Sequence, residues 1–370
     1  MSELSQYIYG VIPAAARLSR HSLLATAEGA IDIAAKLAND EIIGRPGVKT
    51  IINEDIAAIV SPARQVDITR MRKDALAKML VAHQKVIELF MQGAATVLPF
   101  RLGTYVPSEE SVVDILLKGK KLIRLLFEVI GGKIEMDVVA TWADFAALLK
   151  EISEEDEIKK LKQSLVGNTR GVSVDDQMKI GLMIKEALDR KRLEIYRQIT
   201  EKLRSTSCAQ CRHENMDDQM VMNGAFLIET KRRPEFERVL DELNDRFGEK
   251  VNFRCVGPLA PYSFYTLELK TIQWEDVGWA RHIMELGDTA SVAEIKKAFQ
   301  HAAQTKHPDH CIQPAEAERS FNDLNCARRI VMEYVLSCEQ VAASEHVVFD
   351  EENVRKNSLL VKVRNGKDHG

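Results

Sequence analysis

The sequence predicts an α+β protein that contains two sheets, each with its own helices, and a helical region near the C-terminus. Short segments rich in aromatic and β-branched residues recur along the chain, as expected of strands. Longer segments between them repeat apolar residues every three or four positions, as expected of helices. At 370 residues the chain is long enough for two or three domains.

The first predicted domain, residues 1–150, alternates strands and helices. Asn53-Glu54-Asp55 separates two strands and is typical of a hairpin turn. His83 lies on the apolar side of its helix and is predicted to be a core residue rather than a catalytic one. The alternation favours an α+β sandwich of ferredoxin-like type. Strands are predicted at 7–12, 48–52, 56–60, 97–100 and 134–142, and helices at 30–37, 73–90 and 108–130.

The second predicted domain, residues 151–272, is also α+β and contains a long helix at 177–204. The exposed side of this helix is dense in Lys, Arg and Glu, which indicates a solvated face with local ion pairs or, alternatively, a docking surface. The predicted fold class is therefore two ferredoxin-like α+β domains joined by a long helix and followed by a small all-α domain. The remaining strands are predicted at 220–229, 251–256 and 263–269, with a helix at 234–247.

The composition excludes several classes of protein. A net charge of −4, with both signs interspersed, provides no surface for neutralising nucleic-acid phosphates. No apolar run has the length of a membrane span, and Met1-Ser2-Glu3 does not begin a secretory signal. Six cysteines, mostly scattered, fit a reducing cytoplasm better than a disulfide framework. We therefore expect a soluble cytoplasmic protein.

Two short segments, more than 150 residues apart, have an unusual composition. The first signature, residues 97–104, reads Val-Leu-Pro-Phe-Arg-Leu-Gly-Thr, in which Pro99 marks a strand end and Gly103 permits backbone conformations that other residues avoid. In an extended segment Arg101 points away from Phe100, towards solvent or an acidic group. Its expected role is to fix this loop to a carboxylate, with a contact to a partner as the alternative.

The second signature, residues 257–264, reads Gly-Pro-Leu-Ala-Pro-Tyr-Ser-Phe, and its two prolines set where Tyr262 and Phe264 project. Together with the opening Tyr7-Ile8-Tyr9-Gly10, the two signatures resemble the GvpL/GvpF family of gas vesicle proteins over about residues 5–270. The chain departs from the family pattern at Leu102, Leu259 and Ala260, which weakens any claim that one aromatic ring carries binding. The resemblance implies that Phe100, Arg101, Tyr262 and Phe264 are candidate contacts for the gas vesicle shell subunit.

Neither signature contains a nucleophile with a base, a phosphate-binding glycine loop or a carboxylate dyad. The sequence therefore indicates no catalytic residues, no cofactor and no enzyme activity. Cys208 and Cys211, followed by His213, have the spacing of metal ligands, with Cys255 as a remote fourth candidate. We expect an incidental pair in a surface loop and no metal site, with metal or redox chemistry as the less favoured alternative.

The C-terminal region has a different pattern. Ser291-Val292-Ala293-Glu294 is a capping box, and the helix after it places Ile295, Phe299 and Ala302 on one face. This helix ends at His307-Pro308-Asp309, and a second amphipathic helix follows. The arrangement resembles the J domain of DnaJ-type co-chaperones over about residues 278–336, and a J-like domain is predicted at 278–340.

The J-domain resemblance implies a contact with a DnaK-type chaperone, made by His307, Pro308 and Asp309 together with a basic face that includes Lys296 and Lys297. Gln300 and His301 stand where basic residues are frequent, so the positive face is thinner than usual and the encounter is expected to be weaker. Alternatively, the J-like domain does not contact a chaperone and serves for packing or for binding another partner. The glycine-rich and Cys-x-x-Cys repeats of full DnaJ proteins are absent.

The two resemblances together imply an accessory protein of gas vesicle formation, located in the cytoplasm and at the gas vesicle. Its expected partners are the apolar shell subunit, other gas vesicle proteins and a DnaK-type chaperone. A J-domain co-chaperone for a different substrate is the rival interpretation, and a metal- or thiol-dependent enzyme is a distant third. The tail at 344–370 is expected to be flexible, with a short strand at 358–363 as the alternative.

Overall fold

The structure is a computed structural model that describes residues 4–14, 47–92, 96–166, 173–306, 314–341 and 345–364. The helix predicted at 30–37 lies outside the described residues. The chain divides into two compact units, one built from Met1–Val129 and Tyr265–Asn365 and the other from Ile130–Phe264. The sequence predicted divisions near residues 150 and 272 instead.

The first unit contains an antiparallel sheet in the order β2-β3-β1-β4, with β5 also pairing to β1. Strand β1 is buried along most of its length, as its run of aromatic and branched residues predicts. The predicted hairpin turn joins β2 to β3, with Glu54 at a φ of 53°. The elements are β1 (Ser5–Pro13), β2 (Lys49–Asn53), β3 (Ile56–Ala63), α1 (Lys73–Gln92), β4 (Leu98–Pro99), β5 (Tyr105–Val106) and α2 (Glu109–Ile130).

The second unit contains an antiparallel sheet in the order β7-β8-β6-β9. Apart from β5, the four strands of each sheet lie in the order second, third, first, fourth along the chain. This is the ferredoxin-like arrangement, and it confirms the predicted fold class. The elements are β6 (Lys133–Trp142), α3 (Phe145–Ser153), α4 (Asp156–Val166), α5 (Val174–Arg204), β7 (Ala209–Arg212), β8 (Met220–Glu229), α6 (Arg233–Phe247) and β9 (Val251–Leu259).

Two details of the predicted organisation are corrected. Strand β6 was predicted in the first domain, but it lies in the middle of the second sheet, between β8 and β9. The long helix α5 does not join two domains; it belongs to the crossover from β6 to β7 within the second unit. Its start is fixed by a capping box in which Ser173 and Asp176 bond each other's backbone N–H groups.

The C-terminal region belongs to the first unit, and it is not purely helical. Three helices and a shorter fourth one pack with two short strand pairs, β10 with β13 and β11 with β12. The elements are β10 (Thr266–Thr271), α7 (Trp274–Ile283), β11 (Thr289–Ser291), α8 (Val292–Lys306), α9 (Pro314–Val341), β12 (His346–Val348), α10 (Glu351–Lys356) and β13 (Leu359–Arg364).

The prediction of a flexible tail is wrong for residues 345–364. Phe349 and Val354 are fully buried, and the Tyr334 hydroxyl donates to the backbone oxygen of Val348 at 2.6 Å. The tail completes the hydrophobic core of the three helices, because Phe349 and Leu360 belong to the same cluster as Leu324. The alternative prediction of a short strand at 358–363 is confirmed by β13. None of the helices described is long and apolar enough to cross a membrane.

Candidate functional site

The first signature is fixed by the opening strand of the chain. Pro99 pairs with Gly10 in the ladder between β4 and β1, and the Phe100 N–H donates to the Tyr9 oxygen at 2.9 Å. A Cβ atom on Gly10 would lie 2.9 Å from the carbonyl oxygen of Leu98, closer than real Cβ contacts allow. The glycine of the Tyr-Ile-Tyr-Gly opening therefore lets the two backbones approach.

Arg101 lies at the end of this segment, and it ties the loop to β10. Its N–H donates to the Leu267 oxygen at 2.9 Å, and its guanidinium lies 3.6 Å from the carboxylate of Glu268. The side chain of Arg101 is 59% exposed, so the pair is largely solvated. The structure thus supplies the expected carboxylate, and it leaves the guanidinium accessible to a partner.

Phe100 and Phe264 are core residues in this structure. Phe100 is fully buried and Phe264 is 8% exposed, so neither ring is presented on the surface as a contact for another protein. Tyr262 is half-buried. His83 is a satisfied core residue as predicted, since its Nδ1 lies 2.7 Å from the buried hydroxyl of Tyr7.

The second signature is held by a buried carboxyl group. Glu135 on β6 is 1% exposed, and its two oxygens accept from the N–H of Ser263 at 2.8 Å and from the hydroxyl of Ser263 at 2.7 Å. His213 Nε2 lies 3.1 Å from the same hydroxyl. Glycine is required at position 257, because its φ is 155° and a Cβ there would lie 2.6 Å from the sulfur of Met136.

A second carboxyl group, that of Asp137, faces the same side of β6 as Glu135. Burial, and then repulsion from Asp137, raises the pKa of Glu135 to about 8. Burial also raises the pKa of Asp137, with His213 acting in the opposite direction. Because two adjacent carboxylates repel each other in a buried site, we infer that Glu135 is mostly protonated at neutral pH. Sequence reasoning missed this pair, although acidic residues at alternate positions of an otherwise apolar strand were the available signal.

Cys211, one of the cysteine pair, lies near the same carboxyl groups. Burial, then the charges of Glu135 and Asp137, raises the pKa of the Cys211 thiol, and burial raises that of Cys255 to about 11. A reactive thiol or a thiolate ligand needs the opposite shift. Within the described ranges, no three His, Cys, Asp or Glu side chains are grouped so that they could hold a metal ion.

The J-like region forms around the predicted capping box. The Ser291 hydroxyl accepts from the Glu294 N–H at 3.2 Å, and the Glu294 carboxylate accepts from the Ser291 N–H at 2.8 Å. The face of α8 predicted to be apolar is turned inward, with Ile295 buried and Phe299 partly buried. The guanidinium of Arg328 on α9 lies 4.5 Å from the centre of the Phe299 ring, which links the two helices.

Lys296 and Lys297 are exposed on the outer side of α8, where a chaperone could reach them. Gln300 and His301, which stand where basic residues are frequent in J domains, are exposed on the same side. His307, Pro308 and Asp309 lie outside the described residues. The two lysines are thus the part of the expected chaperone-binding site whose placement is known.

Comparisons with known proteins agree with both resemblances. The family model for gas vesicle synthesis protein GvpL/GvpF matches residues 5–266, and that for the DnaJ domain matches residues 282–334. The chain is 26% identical over 192 residues to gas vesicle protein F of Microcystis aeruginosa, covering 51% of this chain and 78% of that protein. It is 26% identical over 263 residues to gas vesicle protein F of a Streptomyces species, covering 70% of this chain and 99% of that protein.

Two crystal structures share the fold. Gas vesicle protein GvpF from an Anabaena species superposes with a TM-score of 0.53 at 22% identity, over 70% of this chain and 97% of that one. GvpF from Microcystis aeruginosa gives a TM-score of 0.52 at the same identity, over 70% of this chain and 98% of that one. The similarity covers the length of the GvpF structures and leaves part of this chain outside it.

Proposed function

This chain belongs to the GvpL/GvpF family, and we propose that it is an accessory protein of gas vesicle formation with no catalysis of its own. In this proposal the GvpL/GvpF region binds the apolar shell subunit before assembly, and the J-like region brings a DnaK-type chaperone to the same client. The protein would act in the cytoplasm and at the gas vesicle. The observation that carries the proposal is that one chain contains both family matches.

The need for such a protein follows from the chemistry of the client. A very apolar subunit with free sheet edges aggregates unless those surfaces are covered. Arg101 and Tyr262 remain candidate contacts in the signature segments, because their side chains are at least partly exposed. We do not propose Phe100 and Phe264 as direct contacts, since both are buried.

The chaperone contact is tested by single-turnover ATP hydrolysis of the host's DnaK-type chaperone in the presence of the full-length protein. We expect stimulation by the wild type, none by His307→Gln, and reduced stimulation by the double variant Lys296→Glu/Lys297→Glu. Lys78→Glu is the matched control, because Lys78 is an exposed lysine of α1 and is not part of the J-like helices. Equal stimulation by the wild type and His307→Gln, or none by either, would refute the chaperone contact.

Shell-subunit binding must be tested with the full-length protein. A truncation after residue 272 would leave β10 without its partner β13, so loss of binding could reflect loss of structure. Co-purification of the shell subunit with the wild type and with His307→Gln tests the GvpL/GvpF region, because the variant removes only the chaperone contact. Chaperone stimulation without any binding of the shell subunit would favour the rival function, a J-domain co-chaperone for a different substrate.

The thiol-dependent alternative predicts a loss of function when the cysteine pair is removed. The raised pKa of Cys211 argues against it. We expect the double variant Cys208→Ser/Cys211→Ser to bind the shell subunit and to stimulate the chaperone as the wild type does.

A further inference from the structure

Three side chains of the second unit form a hydrogen-bonded chain that has no role in the function proposed above. Glu135 on β6 is 1% exposed, and its Oε1 lies 2.7 Å from the hydroxyl oxygen of Ser263. The same hydroxyl lies 3.1 Å from Nε2 of His213, the residue that follows β7. Because His213 is half-buried, the chain runs from a fully buried carboxyl group to an imidazole that solvent can partly reach.

The single proton of the Ser263 hydroxyl fixes how these two hydrogen bonds can be arranged. The hydroxyl donates to one neighbour and must accept from the other. When Glu135 is ionised it can only accept, so Ser263 donates to it and Nε2 of His213 must carry a proton. When Glu135 is protonated at Oε1 it donates to Ser263, and Ser263 donates to a bare Nε2. The protonation of Glu135 and the tautomer of neutral His213 are therefore linked.

The other oxygen of Glu135 shows where the acid proton lies. Oε2 accepts from the backbone N–H of Ser263 at 2.8 Å, and this bond cannot reverse. Oε1 faces a hydroxyl, so it can either donate or accept. Asp137, on the same side of β6, is the competing acceptor for the acid proton. Burial, and then repulsion from Asp137, raises the pKa of Glu135 to about 8, so the proton is lost just above neutral pH.

Other titratable groups surround this chain. Burial, and then the charges of Glu135 and Asp137, raises the pKa of the Cys211 thiol on β7. Lys133 lies two positions before Glu135 on β6, and Tyr262 precedes Ser263. Among the described residues the Ser263 hydroxyl is bonded to Glu135 and His213, so these two groups set its direction. The residues of β8 and β9 that pair with Glu135 and Asp137 are apolar and do not titrate: Leu227, Ala225, Leu259 and Val256.

We propose that Glu135, Ser263 and His213 form a pH-sensitive switch at the second signature. As pH rises, the Glu135 proton passes to Ser263, the Ser263 proton passes to Nε2 of His213, and the Nδ1 proton is released to solvent. One proton leaves, both hydrogen bonds of Ser263 reverse, and the imidazole stays neutral. The ionisation of a buried carboxyl group thereby decides which nitrogen of a half-buried imidazole can donate to a partner. This goes beyond the function proposed above, since it holds for any client.

Nitrogen-15 NMR of the full-length protein with labelled histidine distinguishes the two tautomers. The His213→Gln variant identifies the His213 signals by their loss. We expect Nδ1–H at about pH 7 and Nε2–H at about pH 9.5, with the change centred near pH 8. His83 is the internal control, because it lies in the first unit and bonds to the Tyr7 hydroxyl, and its tautomer should not change.

Variants identify the group that drives the change. In Glu135→Gln the amide oxygen accepts from the Ser263 N–H and the amide NH₂ faces the hydroxyl, so His213 should keep Nδ1–H at both pH values. In Asp137→Asn the repulsion is removed, so the change should be centred about one pH unit lower. Cys211→Ser should behave as the wild type. If circular dichroism shows the wild type unfolded at the higher pH, Asp137→Asn carries the test nearer to neutral pH.

Several results would overturn the proposal. A protonated Nε2 at both pH values would show that Glu135 directs its proton at Asp137 rather than at Ser263. A bare Nε2 at both pH values would show that the hydrogen bonds do not reverse. The same change of tautomer in Glu135→Gln as in the wild type would assign it to another group.

Discussion

The two signature segments are held in place by different kinds of chemistry. The first, residues 97–104, lies against β1 through backbone hydrogen bonds and a close approach at Gly10, with one solvated ion pair at Arg101. The second, residues 257–264, is held by the buried carboxyl group of Glu135. The stability of the contacts at residues 97–104 should therefore depend on close packing and hardly on pH. The stability of the contacts at residues 257–264 should depend on the protonation of Glu135.

The largest expected effect comes from removing that carboxyl group. Glu135→Ala removes the carboxyl group that accepts from the Ser263 N–H and hydroxyl, and it opens a cavity at a buried position, so we expect about 3 kcal/mol less stability in the second unit. Glu135→Gln imitates the protonated acid and should cost less than about 1.5 kcal/mol. Urea unfolding followed by the fluorescence of Trp142, with Trp274 and Trp279 replaced by Phe, reports on this unit. Equal losses in both variants would show that the hydrogen bonds to Ser263 do not hold the segment.

The first attachment is broken by adding a single methyl group. Gly10→Ala places a Cβ against the backbone of the first signature, and overpacking of this kind destabilises by about 1–3 kcal/mol. Gly278→Ala is the matched control, because a Cβ there meets no atom within 4 Å and the residue lies in a helix. Thermal unfolding by circular dichroism compares the two. A Gly10→Ala protein as stable as Gly278→Ala would contradict the close approach.

The stability of the second unit should also fall as pH rises. The pKa of Glu135 is raised to about 8 in the folded protein from an ordinary value of 4.5. The folded state therefore binds more protons between these values, and the stabilising contribution of protonated Glu135 is present below 4.5 and is lost as pH rises through 8. We expect a slope of at most about 1.4 kcal/mol per pH unit in this window.

Urea titrations between pH 5 and pH 8 measure this slope, with Trp142 as the reporter. The Glu135→Gln variant has no titratable group at position 135, so its free energy of unfolding should change less with pH than that of the wild type. Glu135→Gln also removes the interaction of Asp137 and Cys211 with Glu135, so the difference between the two slopes measures the titration of Glu135 together with that coupling. Identical slopes would assign the pH dependence to those neighbours.

The smallest effect is expected at Arg101. Its ion pair with Glu268 is largely solvated, so Arg101→Ala should reduce stability by less than about 1 kcal/mol. Glu268→Gln should give a similar loss, and the double variant should add little to either one. If the Arg101→Ala protein is as stable as expected but no longer binds the shell subunit, the guanidinium contacts the partner as well as fixing the loop.

Local signals in the sequence predicted local structure well. The hairpin turn at 53–55, the capping box at Ser291 and the apolar face of α8 are all present, because each depends on residues a few positions apart. The ferredoxin-like fold class of both sheets was also predicted correctly. The strands that share each sheet were not predicted correctly.

The misplaced elements depend on contacts between residues far apart in the chain. The alternation of Ile134–Trp142 predicts a strand but not the strands with which it pairs. In the structure β6 pairs with β8 and β9, which come much later in the chain. The tail was expected to be flexible because it is polar and charged, yet a few apolar residues, such as Phe349 and Leu360, fill the core of the three helices. Glu135 was missed for the same reason, because its partner Ser263 lies 128 positions away.

The central claim is that the GvpL/GvpF and J-like regions act on one client. Light scattering by the shell subunit, diluted from denaturant into the full-length protein with the host's DnaK-type chaperone and ATP, tests it directly. We predict that the wild type suppresses aggregation more strongly when chaperone and ATP are added. His307→Gln should give the same partial suppression with or without them. An equal gain for both proteins, or no suppression by either, would contradict the account.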